Sequence, residues 1–156
     1  KGGRLLSLCG VKIVKPVKIN INSHAKGLNA DDRLQTTFFG RMTERDGKFY
    51  VVYEETVATG LEETKTTIKW DNERIVILRY GKLEHRQEFS FGFTDNSLYK
   101  TPYMDIPVVA KTKTIDITSE DGIWKLCVEY STAIGGDAPN EISLKIVIEE
   151  ENKGEH

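Results

Sequence analysis

The chain has 156 residues, with 22 basic and 24 acidic side chains, a formal net charge of −2 and a pI near 6.0. A chain of this length forms one domain that buries about 70% of the surface of its unfolded form, so it needs neither metal nor disulfide staples. The lack of a basic excess argues against a nucleic acid or an anionic membrane as its partner.

Taken in chain order, almost every segment has the pattern of a short β-strand closed by a turn. Near the start, Val17, Ile19 and Ile21 alternate with polar residues. Because side chains in a strand point to opposite faces with period two, this pattern gives one apolar face and one wet face. We predict strands at about 16–24, 32–43, 48–57, 62–70, 73–80, 84–93, 97–118 with a break at Pro102 or Pro107, 122–134 and 140–150.

Residues that tolerate positive φ or hydrogen-bond their own backbone separate these segments, and they predict hairpin turns. They are Asp46-Gly47, Asp71-Asn72, Tyr80-Gly81-Lys82, Asp95-Asn96, Asp121-Gly122 and Gly135-Gly136-Asp137. Short connections make neighbouring strands antiparallel, and closure removes the two exposed edges of such a meander. We therefore predict an all-β fold, a single antiparallel up-and-down β-barrel of about eight to ten strands. It spans residues 16–150, between tails at 1–15 and 151–156.

One strand changes the phase of its alternation. Ile106, Val108 and Ala110 share one face, whereas Ile115 and Ile117 fall on the other. A one-residue bulge between Thr112 and Ile115 would return both sets to the interior, so we predict a bulge there.

The cysteines and the hydropathy of the chain indicate the cellular compartment of the protein. Cys9 and Cys127 form neither a disulfide framework nor a metal-binding pair, which is typical of a reducing environment. The apolar run Leu5–Val11 is too short for a membrane span, and no signal-peptide cleavage site follows it. We expect a cytoplasmic protein. A membrane β-barrel would show the same alternation, but no export signal precedes the strands and no aromatic girdle residue ends the last one.

Several segments resemble, in the same order, the sequences of one family. They are Phe49–Glu55, Thr64–Lys69, Ile75–Gly81, Tyr99–Tyr103, Thr112–Ile115 and Val128–Tyr130. On these segments the chain, over residues 16–150, is similar to the YwiB-like bacterial family of unknown function. The resemblance implies a lipocalin-like, calycin-type barrel in small cytoplasmic proteins, with no established activity or catalytic residues. Met104 departs from the resemblance, which leads us to expect a small residue after the Thr-Pro-Tyr turn.

Two charged residues share strand faces with apolar ones. Glu55 lies on the face of Val51 and Tyr53, and Arg79 lies on the face of Ile77. A carboxylate inside a barrel is costly unless it is paired, and Arg79 is a suitable partner. The pair is either the polar end of an apolar pocket, where it orients a ligand, or an ion pair at a water-exposed rim.

Histidine and aromatic residues supply the other candidates. His85 precedes a stripe formed by Phe89, Phe91 and Phe93, which fits core filling better than base stacking because its flanking turns are not basic. His85 either faces the pocket in line with this stripe or lies at the surface. Tyr99 and Tyr103 flank the bend at Pro102, where amphipathic rings contact ligands or close a barrel end.

The candidate ligand-binding residues are Tyr53, Glu55, Arg79, His85, Tyr99 and Tyr103. We expect no cofactor and no metal, since the three histidines have no metal-ligand spacing, and we identify no catalytic residue. A barrel of about eight strands is just wide enough for one modest ligand, which favours binding of a small apolar or amphipathic molecule.

Two alternatives stay open, in a protein that is either a monomer or a homodimer. One is a structural or protein-interaction barrel with a filled core. The other is an enzyme in which Glu55, Arg79 and His85 perform acid–base chemistry.

Overall fold

The computed structural model describes residues 13–27, 31–56, 61 and 63–151. This part of the chain contains no helical segment with the length and hydropathy of a transmembrane span. It is built from ten strands: β1 (Lys15–Lys26), β2 (Asp31–Arg45), β3 (Lys48–Glu54), β4 (Thr64–Trp70), β5 (Arg74–Gly81), β6 (His85–Ser90), β7 (Thr94–Lys100), β8 (Asp105–Glu120), β9 (Ile123–Ile134) and β10 (Asn140–Glu150).

All ten strands form one antiparallel sheet in the order β6-β5-β4-β3-β2-β1-β10-β9-β8-β7. The first and last strands pair with each other, with Ile19 opposite Ile148 and Ile21 opposite Ile146. The sheet therefore curls into a nearly closed up-and-down barrel, which confirms the predicted fold class. Its two edge strands, β6 and β7, face each other where the barrel closes.

The edge strands are joined by backbone hydrogen bonds at two points. In the turn between them, the Phe93 N–H donates to the Ser90 carbonyl at 3.0 Å. At the other end, Glu84 and Lys100 exchange two backbone hydrogen bonds of 2.9 and 2.8 Å. No regular ladder connects the described residues between these points, and we call this stretch of β6 and β7 the seam.

Side chains complete the connection along the seam. The Asp95 carboxylate accepts a hydrogen bond from the Glu88 backbone N–H at 2.8 Å, in place of a backbone carbonyl. His85 Nε2 lies 2.9 Å from the Ser97 hydroxyl. The two sheet edges are therefore held together largely by side-chain chemistry.

One end of the barrel, the closed end, has tight turns and an aromatic interior. Asp46-Gly47 and Asp121-Gly122 adopt the positive φ values that their residue types predicted. Inside, the rings of Phe49, Trp70 and Trp124 pack together, with centroids 5.4 to 6.4 Å apart. These large rings fill the closed end.

The opposite end carries the β3–β4, β7–β8 and β9–β10 connections, and its interior contains buried polar side chains. We call this end, with Tyr53, Glu55, Thr64, Thr66, Arg79 and His85, the polar end. An apolar core separates the two ends. Its fully buried side chains are Val17, Ile19, Val51, Ile68, Ile75, Phe89, Leu126, Val128, Ile146 and Ile148.

The predicted long strand at 97–118 is two strands, β7 and β8, separated by the turn at 101–104. Pro102 lies in this turn, whereas Pro107 lies within β8 opposite Leu98. The predicted bulge is confirmed, because the pairing of β8 with β9 shifts register between Thr112 and Thr114. Ile115 and Ile117 thereby pack against the core.

Two sequence predictions near the seam were wrong. The chain turns at Phe91–Phe93, where Gly92 has φ 71°, and not at Asp95-Asn96, which lies in β7. Phe91 is therefore 80% exposed and Phe93 38% exposed, and of the predicted stripe only Phe89 fills the core. Asp95 resembled a turn former because its carboxylate bonds a backbone N–H, but that N–H belongs to the opposite strand.

The sheet runs from Lys15 to Glu150, close to the predicted barrel limits of 16 and 150. Most of the predicted tails, residues 1–12 and 152–156, lies outside the described residues.

Candidate functional site

A row of directly opposed residues crosses four strands at the polar end. Tyr53 on β3 lies opposite Thr66 on β4, Thr66 lies opposite Arg79 on β5, and Arg79 lies opposite His85 on β6. The hydrogen bond between His85 and Ser97 carries the row across the seam to β7. Alternation turns all five side chains toward the interior, because each lies on the face of its strand that carries the buried residues.

The carboxylate of Glu55 is the most deeply buried charge in this cluster, with 2% of its side chain exposed. Thr66 Oγ1 donates a hydrogen bond to Glu55 Oε2 at 2.5 Å, and Arg79 Nε lies 3.8 Å from the same oxygen. The Glu55 charge also acts on the hydroxyl of Tyr53, two residues before it in the chain. A buried ion costs several kcal/mol unless such partners compensate it. The Glu55 carboxylate is therefore buried inside the barrel and does not lie at a water-exposed rim.

The Arg79 guanidinium is the central charge of the polar end, and a quarter of its side chain is exposed. Its field reaches Tyr53, His85 and Tyr130. Burial, reinforced by the Glu55 charge, raises the pKa of Tyr53, and burial raises the pKa of Tyr130 to about 12, with Arg79 opposing both shifts. At neutral pH both tyrosines therefore keep their protons and can donate hydrogen bonds.

His85 lies at the inner side of the seam. Its ring centroid is 5.2 Å from that of Tyr99. Burial, and next the positive charge of Arg79, lower the pKa of His85, while Asp95 opposes these effects. The imidazole is therefore neutral at physiological pH, with one nitrogen donating and the other accepting.

Several buried polar atoms of the polar end lack a hydrogen-bond partner among the described residues. They are Thr64 Oγ1, Arg79 Nε and His85 Nδ1, three of the five buried side-chain atoms of this kind in the described part of the chain. Leaving a buried donor or acceptor unsatisfied costs about 1 to 3 kcal/mol. Such atoms concentrate where a protein meets a ligand or ordered water.

The structure brings together five of the six predicted site residues: Tyr53, Glu55, Arg79, His85 and Tyr99. Tyr103 lies outside this group, because it is 90% exposed in the turn between β7 and β8. The sequence analysis missed Thr64, Thr66, Ser97 and Tyr130. Alternation with Ile68 and Trp70 identifies both threonines, and alternation with Trp124 identifies Tyr130, but the misplaced turn concealed Ser97.

Only two of the three residues in the enzyme hypothesis form a direct contact. Of Glu55, Arg79 and His85, only Glu55 and Arg79 lie within 4.0 Å of each other as an ion pair. Among the described residues, no three His, Cys, Asp or Glu side chains lie close enough together to hold a metal ion. The arrangement is suited to hydrogen-bonding a polar group.

Fold and site together define a ten-stranded up-and-down β-barrel with an aromatic closed end and a polar opposite end. The chain belongs to the DUF1934 family, described as a domain of unknown function, whose model matches residues 19–146.

Two comparisons with a *Bacillus subtilis* protein agree with this assignment. The chain is 23% identical over 133 residues to the uncharacterised β-barrel protein YwiB of strain 168, which covers 83% of this chain and 92% of that protein. The crystal structure of the *B. subtilis* ywiB protein superposes with a TM-score of 0.81 at 17% identity, over 92% of this chain and 97% of that chain. The family resemblance seen in the sequence is thereby confirmed.

Replacing Arg79 with Gln should lower the free energy of unfolding by roughly 2 kcal/mol, because the buried Glu55 carboxylate loses its nearest cation. The Glu55→Gln/Arg79→Gln double variant should lose less than the sum of the single variants. Urea denaturation at pH 7 measures the coupling. Arg74→Gln, which removes an exposed partner of Glu88, is the control and should cost less than about 1 kcal/mol. Additive single effects would contradict a buried, coupled pair.

The stability of the protein should fall as pH is lowered through about 6.5, the ordinary pKa of an unfolded histidine. Because the folded state depresses the pKa of His85, the unfolded chain binds the proton first, and stability rises with pH over this window. One such group gives a slope of at most about 1.4 kcal/mol per pH unit. Urea denaturation between pH 7.5 and 5.5 measures this pH dependence of stability. The part that comes from His85 should disappear in His85→Gln and remain in His24→Gln. An unchanged slope in His85→Gln would rule this role out.

Proposed function

We propose that the polar end binds a small amphipathic molecule whose polar group lies against Arg79 and His85. The observation that carries the proposal is the set of buried atoms without a partner, Thr64 Oγ1, Arg79 Nε and His85 Nδ1. They belong to neighbouring residues on three adjacent strands. One bound polar group with two or more acceptor or donor atoms would satisfy them together and recover their desolvation cost.

The charges of the site restrict the polar group of the ligand. Arg79 offers several N–H donors, and Glu55 already balances part of its charge. His85 is neutral at physiological pH because its pKa is lowered. A ligand group that accepts hydrogen bonds and is either uncharged or singly negative fits this balance, whereas a cation would meet Arg79.

Aromatic rings and the packed core restrict the rest of the ligand. Phe38 stacks on Tyr53 with centroids 4.3 Å apart, and Phe89 packs on Tyr130 at 4.6 Å. Phe38, Tyr53 and Phe89 are at most 5% exposed, so these ring pairs are part of the packed interior of the barrel. Beyond them the barrel is filled by fully buried side chains such as Ile75. The ligand is therefore small, and its apolar part stays next to the polar end.

Thr64→Val is the sharpest test, because it keeps the side-chain volume and removes one unsatisfied hydroxyl. We expect it to stabilise the free protein by about 1 kcal/mol and to weaken ligand binding. The ligand would come from a thermal-shift screen of small amphipathic compounds with carboxylate, amide and hydroxyl head groups. Saturating ligand should raise Tm by several degrees, and isothermal titration calorimetry would give Kd for each variant.

Thr118→Val is the matched control, because Thr118 is an exposed threonine on β8 that lies outside the polar end. It should change neither the affinity nor, by more than about 0.5 kcal/mol, the stability. Arg79→Gln should weaken binding about tenfold or more. Equal affinities for wild type, Thr64→Val and Arg79→Gln would exclude the polar end as the binding site.

A further inference from the structure

A second recess lies on the outer face of the barrel, over the seam. This groove has a volume of about 890 Å³. Side chains from five strands line it, among them Leu78, Leu98 and Pro107 as apolar surface and Lys65, Arg86 and Lys100 as cations. Leu98 is 46% exposed, so the groove presents apolar surface to solvent. The lining also includes Arg79, His85 and Ser97, so the groove reaches the interior cluster of the polar end at the seam.

The backbone beneath the groove has unused hydrogen-bonding groups. The Glu84 and Lys100 backbones face each other, and in an antiparallel pair every second residue faces the same neighbour. Arg86 on β6, and Asn96 and Leu98 on β7, therefore turn their N–H and C=O groups into the seam. No β-ladder pairs these three residues across the seam in the described part of the chain.

The charge around the groove is positive. Lys65 and Lys100 form no ion pair with the described residues, and Glu84 is the one acidic residue of the lining. Arg86 bonds Glu88 at 3.2 Å, but Glu88 is shared with Arg74 at 3.3 Å, so two cations face one carboxylate there. The groove is thus complementary to a negatively charged group.

We propose that this groove is a binding site for a small amphipathic carboxylate. Its carboxylate accepts hydrogen bonds from free backbone N–H groups of the seam and lies near Lys65 and Lys100. Backbone amides bind anionic oxygens well where water is partly excluded. Its apolar body lies along Leu78, Leu98 and Pro107. The lining of this site shares Arg79, His85 and Ser97 with the interior cluster, but the proposal is carried by the outward cations and the seam backbone and does not depend on the proposed function.

Decanoate and decan-1-ol form a matched pair of probes, because they share the apolar chain and differ in charge. Titration followed by ¹H–¹⁵N NMR should show decanoate shifting the amide resonances of Arg86, Asn96 and Leu98. We expect decan-1-ol to bind about tenfold more weakly or worse, because it lacks the charge-assisted hydrogen bonds. Added salt should weaken decanoate binding.

Lys65→Gln/Lys100→Gln should weaken decanoate binding roughly fivefold through the loss of two exposed charge contacts. Lys125→Gln/Lys145→Gln is the matched control, since it removes the same charge from exposed positions on β9 and β10, away from the groove. The control should bind decanoate like the wild type.

Three results would overturn this site. Decanoate could shift the amides of Thr64, Arg79 and His85 while leaving the seam unchanged, which would place it in the interior and support only the proposed function. Decan-1-ol could bind as tightly as decanoate. Sedimentation could show that Lys65→Gln/Lys100→Gln dissociates a dimer, which would make a second copy of the chain the occupant of the groove.

Discussion

An antiparallel meander has two free edges, and this barrel depends on how those edges, β6 and β7, are joined. One backbone bridge at Glu84 and Lys100 fixes the strands at the polar end, and the turn after Ser90 fixes them at the other. Between these points Asp95 replaces a backbone acceptor, and His85 bonds Ser97. An edge closed in this way leaves backbone groups unpaired on the outside and holds polar side chains together on the inside. Both candidate sites follow from this closure.

The interior of the barrel is divided by chemistry along its axis. Aromatic and aliphatic side chains fill the closed end and the middle, where burial of apolar surface stabilises the fold. The polar end holds a buried carboxylate, Glu55, that is tolerable only because Thr66, Tyr53 and Arg79 surround it. Burial, and after it the charge of Arg79, lower the pKa of the neighbouring His85. Other polar atoms of this end, Thr64 Oγ1, Arg79 Nε and His85 Nδ1, have no hydrogen-bond partner among the described residues.

Alternation along the strands was enough to predict the barrel and the bulge after Thr112, because strand periodicity is a local property. It placed Glu55 and Arg79 on the apolar faces of their strands but left open whether the pair lies in the interior or at the rim. It failed at Asp95. An aspartate carboxylate can accept a hydrogen bond from a nearby backbone N–H in a turn or from a backbone N–H of another strand, and only the tertiary arrangement of the strands decides which one forms. Alternation also could not place Tyr103, since side-chain exposure in a turn depends on tertiary contacts. The depth of burial of Glu55 likewise depends on curvature that no single strand encodes.

Amide hydrogen exchange, resolved by residue with NMR, tests the side-chain closure of the barrel most directly. The N–H groups of Arg86, Asn96 and Leu98 should exchange more than about tenfold faster than those of Gln87 and Ser97, which face the paired strands β5 and β8. The Glu88 N–H should be protected by Asp95 and lose that protection in Asp95→Ala. Uniform protection along β6 and β7 would show a continuous ladder and contradict the seam.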